Sequence, residues 1–244
     1  MYCGDAEIKH KVTMIVAAAG VGKRMNLGYP KQFLEWKGKP LFIFPLNVAQ
    51  KSSIIDDIII STNPENIQKV REFCEDFGIT KVRAVVAGGK ERQDSIYNAL
   101  SYDKDSDIII VQDGVRPFLK EKYIEECCRV VADEKKGAVV GVHVKDTIKV
   151  VDSNLEVVST PKRADLIAVH TPQAFSGNIL KKAYSMAKND NFIGTDDSSL
   201  VERIGEKVKI IIGDYDNVKI TTQEDLNFLK LILLGKCCNI HIRK

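Results

Sequence analysis

Two glycines and three cations stand close together near the start of the chain. Gly20 and Gly22 open a polar loop directly after the apolar run Met14–Ala19, and the loop carries Lys23, Arg24 and Lys31. Glycine lets backbone N–H groups approach an anion, and the cations neutralise its charge, so the stretch has the parts of a phosphate cradle. The spacing matches neither common version. Arg24 stands where a P-loop needs Ser or Thr after Lys23, and Met25 takes the place of the third glycine of G-x-G-x-x-G. On these residues alone, a cradle and a solvated basic loop behind a core strand both stand.

Similar clusters recur further on. Gly88, Gly89, Arg92, Asp94 and Ser95 form one, Asp113 and Arg116 another (QDGVRPF), and Asp146 with Thr147 a third (VKDT). Later come Thr171 in HTPQ, Thr195-Asp196-Asp197, and Lys219 in NVKITT, all expected on loops. Asp113 follows an apolar run. It can hold Mg²⁺, which takes one or two carboxylates plus phosphate oxygens, or it can cap the next turn. The four histidines, at 10, 143, 170 and 241, lack metal-ligand spacing, and no Ser–His–Asp or Cys–His arrangement stands out. What remains is positioning and charge neutralisation, which suits phosphoryl or nucleotidyl transfer.

Such residues need a scaffold that brings them to one rim. Val12–Ala18, Ile55–Ser61, Val82–Ala87, Asp107–Gln112 and Val140–Val144 are Val/Ile-rich strands. Helices are expected at Leu41–Gln50, where Pro45 must start or kink the helix, and from an Asn63 cap to Phe77. Others fall near Glu91–Ser101 and Glu121–Lys135. This alternation predicts an open α/β fold with a mostly parallel sheet covered on both faces. Ligands of such sheets bind beyond the carboxyl ends of the strands, where the clusters fall. Lys145–Ala168 breaks the pattern: TIKVV and LEVVS flank Asp152-Ser153-Asn154, which reads as a projecting hairpin arm suited to contact with another subunit. A helix near Gly177–Lys188, a strand at Val208–Ile212 and a helix near Gln223–Leu234 close the chain, Thr221 and Glu224 having capping-box spacing.

The whole chain sets bounds. Its 244 residues are expected to form a single domain, 1–244, with the arm at about 145–168. The +3 formal charge comes from interspersed residues of both signs, which argues against bulk nucleic-acid binding. No apolar stretch is as long as a membrane span, and the polar N-terminus has no signal-peptide core, so a cytoplasmic location is expected. The six cysteines, at 3, 74, 127, 128, 237 and 238, include two adjacent pairs without C-x-x-C spacing and read as free thiols rather than a metal site.

The motifs taken together carry a resemblance. AAAGVGKRM followed by PKQ resembles nucleotidyltransferases that activate small phosphorylated compounds. GGKERQDSI, QDGVRPF, VKDTIK, HTPQAF, TDDSSLVE and NVKITTQEDL, in that order, resemble the 2-C-methyl-D-erythritol 4-phosphate cytidylyltransferase family of non-mevalonate isoprenoid synthesis. The resemblance runs from Val12 to about Leu233 and implies a Rossmann-like nucleotidyltransferase fold. It implies CTP and a sugar-alcohol phosphate as substrates, Mg²⁺ or another divalent cation, and a homodimer with interlocked arms. It also implies roles for residues. Arg24 and Lys31 would stabilise the pentacoordinate phosphorus, while Arg163 and Lys219 would position the attacking phosphate. Ala17, Ala18, Ala19, Gly20, Gly88, Gly89 and Ser95 would hold the nucleotide, with Asp113 beside the metal. Arg116, Thr147, Thr171 and Thr195 would line the acceptor pocket, Thr147 and Arg163 serving a partner's site. Ala17 replaces a common proline, Gln112 a common histidine, and His170 a more usual glutamine or leucine; the first eleven and the final residues lie outside the match. TDDSSLVERIG resembles this family better than ribitol-5-phosphate cytidylyltransferase. An NAD-dependent dehydrogenase would want a third glycine at Met25 and an acid at Ser61-Thr62, and a non-catalytic nucleotide-binding protein would have lost the cations.

Overall fold

The computed structural model describes residues 10–20 and 30–234. The elements run β1 (Val12–Ala18), β2 (Glu35–Trp36), β3 (Lys39–Pro40), α1 (Ile43–Lys51), β4 (Asp57–Thr62), α2 (Ile67–Asp76), β5 (Val82–Ala87), α3 (Arg92–Leu100) and β6 (Ile108–Asp113). They continue with α4 (Glu121–Glu134), β7 (Gly137–His143), β8 (Val150–Val151), β9 (Val157–Ser159), β10 (Ile167–Ser176), α5 (Gly177–Asn189), α6 (Asp197–Arg203), β11 (Val208–Ile212) and α7 (Gln223–Leu234).

Seven strands form one sheet in the order β11-β7-β10-β6-β1-β4-β5. Every neighbouring pair is parallel except those of β10, which runs antiparallel to both β6 and β7. The continuous Val/Ile runs predicted this, because a strand covered on both faces needs apolar side chains on both. Met14 and Val16 pack into one layer with residues of α1, α2 and α4, while Ile15 packs into the opposite layer with residues of α3, α5 and α6. A third, smaller cluster of Trp36, Leu41, Val115, Ile220 and Leu229 lies under the loop after β6. Trp36 belongs to a two-residue hairpin whose turn residues, Lys37 and Gly38, both have positive φ, the geometry of a type I′ turn.

Several sequence expectations need correction. HTPQ is not a loop but part of β10, a strand the reading missed; Pro172 is tolerated because the β10–β7 register slips between Val169 and Gln173. The seven-residue helix α6 was also missed, although Asp196 and Ser199 form its capping box. Asn63 does not cap a helix with its side chain; a 3₁₀ turn, Pro64–Asn66, precedes α2. The box at α7 lies one residue later than read: Asp225 Oδ2 accepts from the Thr222 N–H at 2.8 Å, and Thr222 Oγ1 accepts from the Asp225 N–H at 3.4 Å. Pro45 sits in the first turn of α1, where a missing N–H leaves nothing unpaired. The arm is present as β8 and β9. Cys74, Cys127 and Cys128 are free and buried in α2 and α4, while the other three cysteines lie outside the described residues.

Candidate active site

The carboxyl ends of the parallel strands are level. Ala17 is paired with both Ser61 and Asp113, and Thr62 with both Ala18 and Ala87, so the ends of β1, β4, β5 and β6 make one rim. A cleft of about 400 Å³ opens on it. Ala17, Ala18, Ala19 and Gly20 form one wall, Gly89 and Ser95 another, and Lys31, Asp113 and Lys219 face the same space. Thr62 ties the first wall to its neighbour: its hydroxyl donates to the Ala18 carbonyl at 3.3 Å, and its carbonyl accepts from Gly88 N–H at 2.7 Å. Ser95 Oγ accepts from Gly89 N–H at 3.0 Å. Gly88 stands behind this wall, and a Cβ there would meet Ala19 Cβ at 2.6 Å and Ser95 Oγ at 2.9 Å. Only glycine lets the two strand ends approach so closely.

Asp113 is the electrostatic centre. Its side chain is 6% exposed and faces three cations: Arg92 Nε at 3.2 Å on Oδ1, with Arg116 Nε at 3.3 Å and Lys219 Nζ at 2.9 Å on Oδ2. Burial pushes the carboxyl pKa up, but Arg92, Lys219 and Arg116 outweigh it and hold the group well below the usual carboxylate range. Asp113 is therefore ionised at any physiological pH. Backbone bonds fix its partners. Ile220 N–H donates to the Val115 carbonyl at 2.9 Å, which seats Lys219, and Arg116 donates to the Asn217 carbonyl at 2.7 Å. Thr171 lines no part of the cleft directly; its Oγ1 accepts from Asp113 N–H at 3.1 Å.

Behind Arg92 lies a buried network that the sequence reading noted only as loop charges. Asp197, fully buried, accepts from Arg92 Nη1 at 3.1 Å and Nη2 at 2.7 Å, and Tyr184 donates its hydroxyl to Asp197 Oδ1. Gln173 Nε2 donates to Asp196 at 2.9 Å, and Gln173 Oε1 accepts from Ser198 N–H at 3.0 Å. With its fork turned to Asp197, Arg92 offers Asp113 a single N–H. Asp113 itself borders the cleft. One signal was legible: Asp196 and Ser199 in TDDSS have the spacing of a capping box, which places Asp197 at the first position of a helix.

Three of the expected site residues stand apart from the cleft, and a fourth, Arg24, lies outside the described residues. Thr195 is exposed on the loop before α6, and Thr147 and Arg163 are exposed on the arm, Arg163 donating to the Lys145 carbonyl at 3.0 Å. The arm leaves the sheet after His143, which pairs with Ile167, so it rises from the same rim as the cleft. Among the described residues no three His, Cys, Asp or Glu side chains gather as a metal-binding group. No helix among them is long and apolar enough to cross a membrane.

Comparison with known proteins gives this geometry a family. The family model described as 2-C-methyl-D-erythritol 4-phosphate cytidylyltransferase matches residues 12–234. A relative of that name from Fusobacterium nucleatum is 56% identical over 231 residues, covering 94% of this chain and 100% of the relative. Another from Geotalea uraniireducens is 44% identical, covering 88% of this chain and 94% of the relative. The crystal structure of 4-diphosphocytidyl-2C-methyl-D-erythritol synthase from Anaerococcus prevotii superposes with a TM-score of 0.82 at 30% identity, over 93% of this chain and 97% of that one. The chain belongs to the 2-C-methyl-D-erythritol 4-phosphate cytidylyltransferase family.

Proposed function

We propose that the strand-end cleft holds CTP against its Ala17–Gly20 and Gly88–Ser95 walls, and that fixed cations there stabilise attack on the α-phosphorus. The chain is a cytidylyltransferase of the non-mevalonate isoprenoid pathway: it transfers CMP from CTP to 2-C-methyl-D-erythritol 4-phosphate, giving 4-diphosphocytidyl-2-C-methyl-D-erythritol and pyrophosphate. An oxygen of the acceptor phosphate forms the new bond to the α-phosphorus as the bond to the leaving pyrophosphate breaks. Negative charge builds on the pentacoordinate phosphorus. Lys31 and Arg24 meet that charge, and a cation already in place stabilises it without reorganising. Lys219 and Arg116, both held on Asp113, present positive charge to the acceptor phosphate, with Thr171 fixing the Asp113 backbone behind them. The observation that carries this reading is the three-cation cluster on one buried, ionised carboxylate at the cleft edge.

A divalent cation fits this site in company with the triphosphate. Asp113 supplies one hard oxygen donor but is surrounded by three cations, so the other ligands must be phosphate oxygens and water. When bound there, the ion would neutralise charge on the triphosphate and its leaving group.

Arg163 and Thr147 enter the same reaction from a second subunit. Two apolar strands with exposed side chains and a cation at their base suit an arm that crosses to a partner, where Arg163 would position the acceptor phosphate. The test is release of pyrophosphate by the purified protein with CTP, Mg²⁺ and a panel of acceptors. Methylerythritol phosphate is expected to be turned over well and ribitol 5-phosphate poorly. Equal or faster turnover of ribitol 5-phosphate would overturn the acceptor assignment.

A further inference from the structure

Arg92 and Gln93 are neighbours at the start of α3, and both reach across to the loop between α5 and α6. Arg92 holds Asp197 at the loop's end. Gln93 holds its middle: Nε2 donates to the Phe192 carbonyl at 2.9 Å, and Oε1 accepts from Gly194 N–H at 2.9 Å. One planar, neutral group thus satisfies a donor and an acceptor two residues apart on the same backbone. The loop is anchored on its far side too. Asp196 takes the Gln173 amide and caps α6, and Arg203 both pairs with Asp190 at 2.7 Å and lies over the Phe192 ring at 4.7 Å. Thr195 sits between the Gly194 and Asp196 anchors. The same first turn of α3 carries Ser95, which fixes Gly89 in the nucleotide wall.

We infer that Gln93 is a positioning residue for the acceptor substrate. Its carboxamide clamps the 192–194 backbone and so sets Thr195 in register with the nucleotide wall, making the first turn of α3 a bridge between the two half-sites. The inference rests on the reading of Thr195 as an acceptor-pocket residue. Gln93 touches no reacting atom; it acts through the loop it holds. A side chain was needed here because the Gly194 N–H finds its acceptor in Gln93, and a charged residue would leave either the carbonyl or the N–H facing the wrong partner.

Gln93→Met keeps the length of the side chain and removes both hydrogen bonds. It is expected to raise the KM for methylerythritol phosphate about tenfold, each bond contributing a few-fold. The calorimetric Kd for CTP should stay within about twofold, since the nucleotide wall is untouched. Gln93→Glu, which keeps the acceptor but faces the Phe192 carbonyl with a carboxylate, should have at least as large an effect. An unchanged acceptor KM in both variants overturns the inference, as does a CTP Kd that rises in step with it. Thr195→Ala separates the two ideas. If Gln93→Met acts while Thr195→Ala is silent, the clamp stands and only the placement of Thr195 is refuted. If Thr195→Ala acts while Gln93→Met is silent, the clamp is refuted.

Discussion

The cleft and the arm handle exposure in opposite ways. In the cleft, charged side chains are buried and meet each other: Asp113 is 6% exposed beside three cations, and Asp197 is fully buried under the Arg92 fork. In the arm, apolar side chains face outward, with Val158 66% and Val157 59% exposed on β9 and Leu155 81% exposed in the turn before it. A two-stranded hairpin is marginal by itself, and a contiguous apolar surface marks a place where something packs. The cleft is organised by its own chain. The arm, in the proposed dimer, would be organised by a second copy. Catalysis by fixed charges needs the first kind of region, since a cation that must be recruited during reaction loses its advantage to reorganisation.

The sharpest way to break that contrast is Lys31→Ala. If the cleft works by preorganised charge, this variant should lower kcat by roughly 10²–10³-fold with little change in the KM for CTP, as expected for a contact that strengthens in the transition state. A rise in KM at constant kcat would reduce Lys31 to a ground-state phosphate contact. Next in size is the arm. Val157→Lys with Val158→Glu should shift the protein to a monomer on sedimentation and remove most activity. Mixing Lys31→Ala with Arg163→Ala subunits distinguishes a shared site from two separate ones: random re-pairing gives mixed dimers with one intact site, restoring about a quarter of wild-type activity. No recovery on mixing would confine both residues to one chain's site.

A third prediction concerns stability. Asp113→Asn leaves Arg92, Arg116 and Lys219 facing one another without their anion. Breaking a buried ion pair costs about 3–5 kcal/mol, and with Arg92 and Lys219 about a third exposed the loss here should be near 2 kcal/mol in denaturant titrations. Inorganic pyrophosphate should restore part of it, stabilising the variant more than the wild type because it supplies the missing negative charge. Equal stabilisation of both proteins would show that the cations do not form one anion site.

What the sequence disclosed follows the same division. Parallel strands were legible because burial on both faces forces runs such as IVAA and IIIV. The rim was legible because glycines and charges follow those runs directly. β10 was not, since His170, Thr171 and Pro172 interrupt its apolar pattern and only a register slip reconciles them with a sheet. The partnership of Arg92 with Asp197 spans 105 positions, and no local period encodes a contact of that range. Glu224 was the nearer match to a capping box, yet Asp225 made the bonds; a one-residue shift of this kind is settled by how α7 packs through Leu229 against Trp36 and Ile220.

The smallest predicted effect tests how closely the cleft's charges are coupled. His170 stands next to Thr171, and burial followed by the repulsion of Arg116 pushes its imidazole down to about 4, against the upward pull of Asp113. Its folded pKa therefore lies below its unfolded value of about 6.5, so the unfolded chain binds the proton more readily. Stability should fall as pH drops from about 6.5 toward 4 and be level above that window. Asp113 is shifted in the same direction, from a lower starting value. Its folded pKa lies below the unfolded 3.9, so its contribution is present above about pH 4 and is lost only at more acid pH. The two windows do not overlap, which lets one variant separate them. His170→Gln should flatten the stability profile between pH 4 and 6.5 by on the order of 1 kcal/mol, discounted for its partial exposure, while keeping the steeper loss below pH 4. Denaturant midpoints across that range measure both. If the slope persists in His170→Gln, the imidazole is not held neutral by the Arg116 side of the cleft, and the charge coupling ends at Asp113 and its three cations.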